Sequence, residues 1–322
     1  MAKRVFLISV LSLMCSISNF NADWAWAKFP EKNIEFIVAW DPGGGVDLVA
    51  RALTQYLNPH LGGRVFVKNV PGSGGAIGFR EVVKATPDGY TMMMMSTSIM
   101  VGPHVIKGHA PYDSLDPICV VAQDPSTLMV KPDSPFKNVS DLISQAKSRP
   151  GMVSASTFGF GSISHLVMAA FEKATGTKFN LVPYKGTAPA ITAAMGGHVD
   201  LSANEAATAQ TYVKGNKLRP LVVFGAKRSP LYPDVPTAKE LGIDVVIYQW
   251  RGVGVPKGTP KEVKDTLAEA FRKAMESEEC KKTFDQIGLE RIYLNSEESV
   301  SWLKGQNEII SSLAKSVGLE PK

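Results

Sequence analysis

The stretch "VSASTFGFGSISHLVMAAFEKA", residues 153–174, decides how this chain is read. A short run rich in small and β-branched residues passes into a glycine turn, and apolar residues then recur at helical spacing. A turn of that kind leaves backbone N–H groups unpaired at the helix entrance. The helix dipole adds partial positive charge there, so the turn is an anion site. Glycine lets a ligand approach the backbone closely, and Ser162 and Ser164 add hydroxyl groups. Pyrophosphate and a smaller anion such as carboxylate, phosphate or sulfate all suit such a turn.

The dinucleotide reading fails on spacing. Gly159-Phe160-Gly161 begins like the fingerprint, but an acid is expected about 20 residues after the first glycine. That position falls in "LVPYKG", which has none. No glycine turn is followed by the Lys-Ser or Lys-Thr of a P-loop. The turn therefore holds something smaller than a nucleotide.

A partner to this stretch lies upstream. "FIVAWDPGGGVDLVARALTQYL", residues 36–57, is again strand, glycine turn, helix, and "NVPGSGGAI" follows it as "LVPYKGTAPAI" follows the opening stretch. Strand and helix signals alternate between and around these units, which argues for an α/β architecture with parallel sheet. Two similar units predict two lobes, and ligands of open α/β sheets bind beyond the carboxyl ends of the strands. The two glycine turns would then line one cleft. The last part differs: after "VVIYQWRGVGVP" the pattern is helical, with little strand. Thr259-Pro260-Lys261-Glu262 reads as a helix start with Thr259 at the N-cap, and Ser140 and Ser296 read as N-caps of two other helices.

Composition narrows the function. The chain has 322 residues and a formal net charge of +5. Its lysines form no long run and have no interleaved aromatics, which argues against nucleic acid. Residues 1–27 have a basic start, a short apolar run and the Ala25-Trp26-Ala27 cleavage pattern, so they read as a secretory signal peptide cut near Ala27. Export permits a disulfide between Cys119 and Cys280; two separately buried thiols is the other reading. The histidines show no metal-ligand spacing, and the four methionines at 92–95 read as strand core. G-x-S-x-G is absent. A Ser164/His165 pair could serve an exported α/β hydrolase, but neighbours at a helix start diverge by about 100° around the axis; His165 otherwise reads as a surface or capping residue. Asp47 either stabilises the helix dipole and the turn or shapes the ligand loop.

Taken together, "WDPGGGVDLVARAL", "KNVPGSGGAIGFREVVKATPDGYTM", "HLVMAAFEKATGTKFNLVPYKGTAPAITAAMGGHVDL" and "WRGVGVPKGTP" resemble, in order, the extracytoplasmic solute receptors of tripartite tricarboxylate transporters, the Bug or TctC receptors. The likeness spans the chain after the leader. It implies an α/β, two-lobed periplasmic-binding-protein (Venus-flytrap) fold with mixed, mainly parallel sheets and the ligand between lobes. Lobe 1 would comprise residues 28–122 and 251–322, and lobe 2 residues 123–250. It implies a monomeric periplasmic receptor, not an enzyme, without cofactor or metal. Such a receptor would bind a small organic anion and deliver it to the large and small subunits of a membrane permease. Mapped onto this sequence, the implied ligand contacts are Gly43, Gly44, Gly45, Val46 and Asp47 in the first turn, Gly161, Ser162 and Ser164 in the second, and Lys185, Gly186, Thr187 and Ala188 in the PYKG loop. Val46 stands where the family often has Ser or Thr. Trp40, where many members have Phe, would stack on ligand or pack. Asn204 and Glu205 end a strand on the cleft side; Glu205 would repel a carboxylate, pair with an amine or hydroxyl, or be a solvated rim residue. Arg251 would clamp a second carboxylate or form a hinge salt bridge.

Overall fold

The computed structural model describes residues 29–321; the expected leader, residues 1–27, lies outside them. The elements run in chain order as β1 (Ile34–Val38), α1 (Gly45–Leu57), β2 (Val65–Asn69), α2 (Ala76–Val83), β3 (Thr91–Ser96), α3 (Ser98–Val101) and β4 (Leu115–Val130). Next come α4 (Val139–Ser148), β5 (Ser154–Thr157), α5 (Ile163–Thr175), β6 (Asn180–Pro183), α6 (Thr187–Met195), β7 (Leu201–Glu205), α7 (Ala206–Lys214) and β8 (Arg219–Val223). The chain closes with β9 (Tyr248–Pro256), α8 (Lys261–Glu276), α9 (Glu278–Ile287), β10 (Glu290–Leu294) and α10 (Ser296–Ser316).

The strands follow the order β2-β1-β3-β9-β4-β7-β5-β6, with β8 and β10 also paired to β4. The strand–helix units supply parallel pairs, β1 with β2 and β3, and β5 with β6 and β7. Around β4 and β9 the pairing is antiparallel. β4 pairs with β9 from Leu115 to Pro125, then with β7 and β8 from Ser126 and Thr127 onward. The partner of β4 therefore changes from β9 to β7 and β8 at Pro125–Ser126, beside Tyr248.

The core follows the patterning. Met92 to Met95 are all at most 1% exposed, and the chain slots Gly254 against the Met95 sulfur, where a side chain would collide. In lobe 1, Phe36 of β1 meets Phe271 of α8 edge-on, ring centroids 6.2 Å apart. Trp302 of α10 meets Trp250 of β9 in the same way at 5.9 Å, so the C-terminal helix is pinned to the strand nearest the crossover. Burying each such ring contributes roughly 1.5–3 kcal/mol.

Three expected caps are displaced by one or two residues, because the neighbouring residue has the better acceptor or the hydroxyl is occupied. Asn138 and Asn295 form capping boxes with Asp141 and Glu298, in place of Ser140 and Ser296. The Ser296 hydroxyl donates to Pro117 O instead. Pro260 is the N-cap of α8, and the Thr259 hydroxyl donates to Pro256 O at 2.7 Å. The C-terminal part also carries a strand, β10, which adds to β4.

Cys119 and Cys280 are separate, buried thiols. Burial pushes both up, Cys280 to about 11, so neither is a thiolate near neutral pH. Neither thiol should react with Ellman's reagent in the native protein, and both should react in denaturant. Rapid labelling without denaturant would contradict this packing.

Candidate functional site

The first jaw is the turn from β1 into α1. Gly44 is the N-cap with extended backbone and no side-chain cap bond, so the first-turn N–H groups of α1 are left to the cleft. Gly43 has φ +86°, a conformation that favours glycine. Asp47 braces the turn: its Oδ2 accepts from Gly43 N–H at 2.9 Å and from Arg51 Nε at 2.8 Å, and its Oδ1 accepts from Asn69 Nδ2 at 2.9 Å. Burial would raise its pKa, but the Arg51, Gly43 and Asn69 hydrogen bonds outweigh this and hold it below the ordinary value. The turn-bracing reading of Asp47 is therefore the one realised, although Asp47 also lines the cavity described below.

The second jaw, the turn from β5 into α5, is satisfied from within. Ser162 is the N-cap and accepts from His165 N–H. Its hydroxyl donates to Gly159 O at 2.6 Å, so in the 2.9 Å contact with Ser164 Oγ it is the acceptor. Ser164 Oγ in turn accepts from Phe158 N–H at 3.0 Å. Both hydroxyl protons are thus committed inside the turn, and both serines are at most 1% exposed. Ser98, from lobe 1, accepts from Ile163 N–H at 3.1 Å and so stands at the mouth of α5. His165 is buried rather than on the surface; its ring lies tilted against Phe160, centroids 4.7 Å apart, and its Nδ1 accepts from Gly161 N–H at 3.4 Å.

Each jaw meets a loop of the other half of the molecule through glycines. A side chain on Gly74, in lobe 1, would collide with Phe160 O and come within 3.0 Å of Ser162 N, in lobe 2. Gly159 lies as close to the Gly74 backbone from the other side. Gly44 faces Thr187, Gly43 faces Ala188, and Gly186 packs on Trp40 and Asp41. Behind these contacts lies a cavity of about 10 Å³, lined by Trp40, Gly44, Gly45, Val46, Asp47, Ser96, Ser98, Phe158, Thr187, Glu205 and Gln249. Outside them, an open recess of about 510 Å³ is lined by Asp41, Ser73, Gly74, Gly159, Phe160, Pro183, Tyr184, Lys185 and Pro189.

Of the expected contacts, Trp40, Gly44, Gly45, Val46, Asp47, Thr187 and Glu205 line the inner cavity, and Lys185 lines the outer recess. Gly43, Gly186 and Ala188 hold the jaws together. Gly161, Ser162, Ser164 and Asn204 belong to neither lining. Ser96, Ser98, Phe158 and Gln249 were not expected. Ser96 and Phe158 sit at or just past the ends of β3 and β5, where the carboxyl-end rule would have placed them; Gln249 carries no such signal.

The wall of the cavity is charged. Glu205 is not a solvated rim residue: it is 1% exposed, and its Oε1 accepts from Arg251 Nη2 at 2.8 Å. Arg251, also 1% exposed, donates through Nη1 to Trp250 O at 3.1 Å. Arg251 thus forms the salt bridge between crossover strand β9 and lobe 2. Gly45 closes over this pair, since a side chain there would collide with Thr208 Oγ1 and come within 3.1 Å of Arg251 Nη2. Asp124, at the crossover of β4, is also buried; burial pushes its pKa well up and the nearby Glu205 charge adds to this, against one hydrogen bond from Ala207 N–H. Among the described residues, Trp40 Nε1, Ser96 Oγ, Asn204 Nδ2 and Arg251 Nε are buried without a hydrogen-bond partner. All four can donate, and Trp40 and Ser96 line the cavity, which therefore offers donors to an acceptor-rich group.

Residues 49–319 match the family described as "Tripartite tricarboxylate transporter family receptor". The chain is 33% identical over 291 residues to the "UPF0065 protein in gbd 5'region" of Cupriavidus necator, covering 89% of each. It is 29% identical over 322 residues to "Protein BugT" of Bordetella pertussis, covering 98% of each. Among solved structures, the periplasmic binding protein BugD superposes with a TM-score of 0.87 at 33% identity, over 91% of this chain and 100% of that one. The R. palustris protein Rpa4515, solved with adipate, superposes with a TM-score of 0.86 at 28% identity, over 91% of this chain and 100% of that one.

Two substitutions test the geometry. Asp47→Ala leaves the Gly43 N–H without its acceptor and takes one of the two acceptors of the Asn69 amide, which keeps Trp40 O, and should cost about 1–3 kcal/mol in urea unfolding. In the wild type, the contribution of Asp47 ionisation should be full above pH 3.8 and be lost as the pH falls through the lower folded-state pKa. Gly74→Ala places a side chain on backbone of the opposite lobe, at φ +61°. It should hold the lobes apart, seen as a larger radius of gyration by small-angle scattering; unchanged scattering would reject the glycine contact.

Proposed function

The chain belongs to the tripartite tricarboxylate transporter receptor family, and from that premise we propose that it captures a small carboxylate between its lobes and delivers it to a membrane permease. The observation that carries the reading is the set of unpaired donors at one interlobe cavity: the uncapped start of α1, Trp40 Nε1 and Ser96 Oγ. A carboxylate has acceptors for all of them. The adipate held by the similar Rpa4515 protein supports the ligand class.

In this reading the lobes, residues 28–122 with 251–322 and residues 123–250, part to admit ligand and close around it. Closure removes water, and each donor–carboxylate bond strengthens in the lower dielectric. The closed cavity of about 10 Å³ has room for about one water molecule. Ligand therefore requires the jaws to stand slightly further apart than they do here. Contacts come from the backbone of Gly44, Gly45 and Val46 and the side chains of Trp40, Ser96 and Thr187. Ser162 and Ser164 shape the second turn. Lys185, at the mouth, attracts the anion as it enters. The protein works as a periplasmic monomer after removal of residues 1–27. Its partners are the large and small permease subunits, and it acts as a receptor rather than a catalyst.

Calorimetry and thermal shift with mono-, di- and tricarboxylates on refolded protein test this. At ligand concentrations of 100 times Kd, a true ligand should stabilise the fold by about 2.7 kcal/mol. If every carboxylate leaves stability unchanged, the reading is wrong.

A further inference from the structure

We infer that Glu205 sets the ligand class of this cleft: the ligand carries, beside its carboxylate, an ammonium or hydroxyl group that donates to Glu205. The inference rests on the cleft being a carboxylate site. Its own ground is the second polarity of the same cavity.

Glu205 is an acceptor-only group when ionised, with room for about four hydrogen bonds on its two oxygens. The described residues give it two. Arg251 approaches end-on, through Nη2 alone, and occupies Oε1; its Nη1 is turned to the Trp250 carbonyl. Oε2 receives only the Thr187 hydroxyl, at 3.4 Å, a long contact for an O–H donor. Glu205 lines the cavity and Arg251 does not. A ligand in the cavity thus meets the carboxylate before it meets the guanidinium.

The lining therefore asks for two different groups. Trp40 Nε1 can only donate and calls for an acceptor, while Glu205 Oε2 can only accept and calls for a donor. A plain carboxylate answers the first and leaves the second unpaired, or brings like charge towards it. A hydroxy acid or amino acid answers both. The Arg251 guanidinium, 2.8 Å from Oε1, holds Glu205 in place and offsets its charge, so a hydroxyl as well as an ammonium can pair with Oε2. Polar sites of this kind discriminate strongly, because a ligand lacking the group leaves a buried partner unsatisfied.

Matched ligands that differ only in the donor provide the test: succinate, malate and aspartate, and propionate, lactate and alanine, measured by calorimetry on the wild type and on Glu205→Gln. The wild type should bind the hydroxy or amino member of a series at least about tenfold more tightly than its unsubstituted parent. Glu205→Gln, folded by circular dichroism, should shrink that ratio several-fold, the amino member losing most. Equal affinity within both series in the wild type would overturn the role of Glu205 while leaving carboxylate binding intact. Tighter binding of every acid to Glu205→Gln would overturn it too, by showing that Glu205 merely opposes anions. If no acid of either series binds, the carboxylate reading fails and this inference fails with it. The wild-type comparison stands even if the variant does not fold.

Discussion

Everything at the site depends on one piece of backbone geometry, the antiparallel pairing of β4 with β9. These strands are long enough to serve both lobes: β4 pairs with β9 through lobe 1 and the crossover, then with β7 and β8 in lobe 2. The ladder therefore fixes where each lobe can sit. It brings the turn after β1 against the loop after β6, Gly43 by Ala188 and Gly44 by Thr187, and the turn after β2 against that after β5, Gly74 by Phe160.

The ladder also explains the polar groups buried at its centre. Asp124 on β4, Arg251 on β9 and Glu205 at the end of β7 are gathered where the two sheets meet. Buried ion pairs seldom add net stability, because desolvation offsets much of the attraction. The pair of Glu205 with Arg251 places an ion pair beside the cavity that Glu205 lines. Hydrophobic contacts hold the fold: Phe36 on Phe271, Trp250 on Trp302, and the methionine strand on the glycines of β9.

Much of the fold was legible in the sequence, since periodicity and glycine turns are local signals. The strand–turn–helix units at residues 36–57 and 153–174 form as expected, and Met92 to Met95 lie in the core. The turn from β1 into α1 was legible as well, because a glycine N-cap at Gly44 has no side chain with which to cap the helix. The second jaw was read too simply. Its serines look like ligand donors in sequence, but hydroxyl protons are directional, and here Gly159 O and Ser162 Oγ take them. Ser96 and Gln249 escaped notice because nothing local distinguishes a strand residue that faces a cleft from one that faces a core. The caps Asn138, Pro260 and Asn295 were missed by one or two residues, the usual margin for helix ends.

The sequence by itself determined the α/β class, the two repeated units and the presence of anion-seeking turns, because each of these follows from spacing within some twenty residues. It also carried the family motifs. Only the tertiary structure decided which donors remain free. That choice depends on partners far apart in the chain: Arg251 reaching Glu205, Ser98 reaching Ile163, and Gly74 lying on Phe160. A hydrogen-bonding group binds ligand only if the fold leaves it unpaired, and pairing across such distances is a property of the folded chain alone.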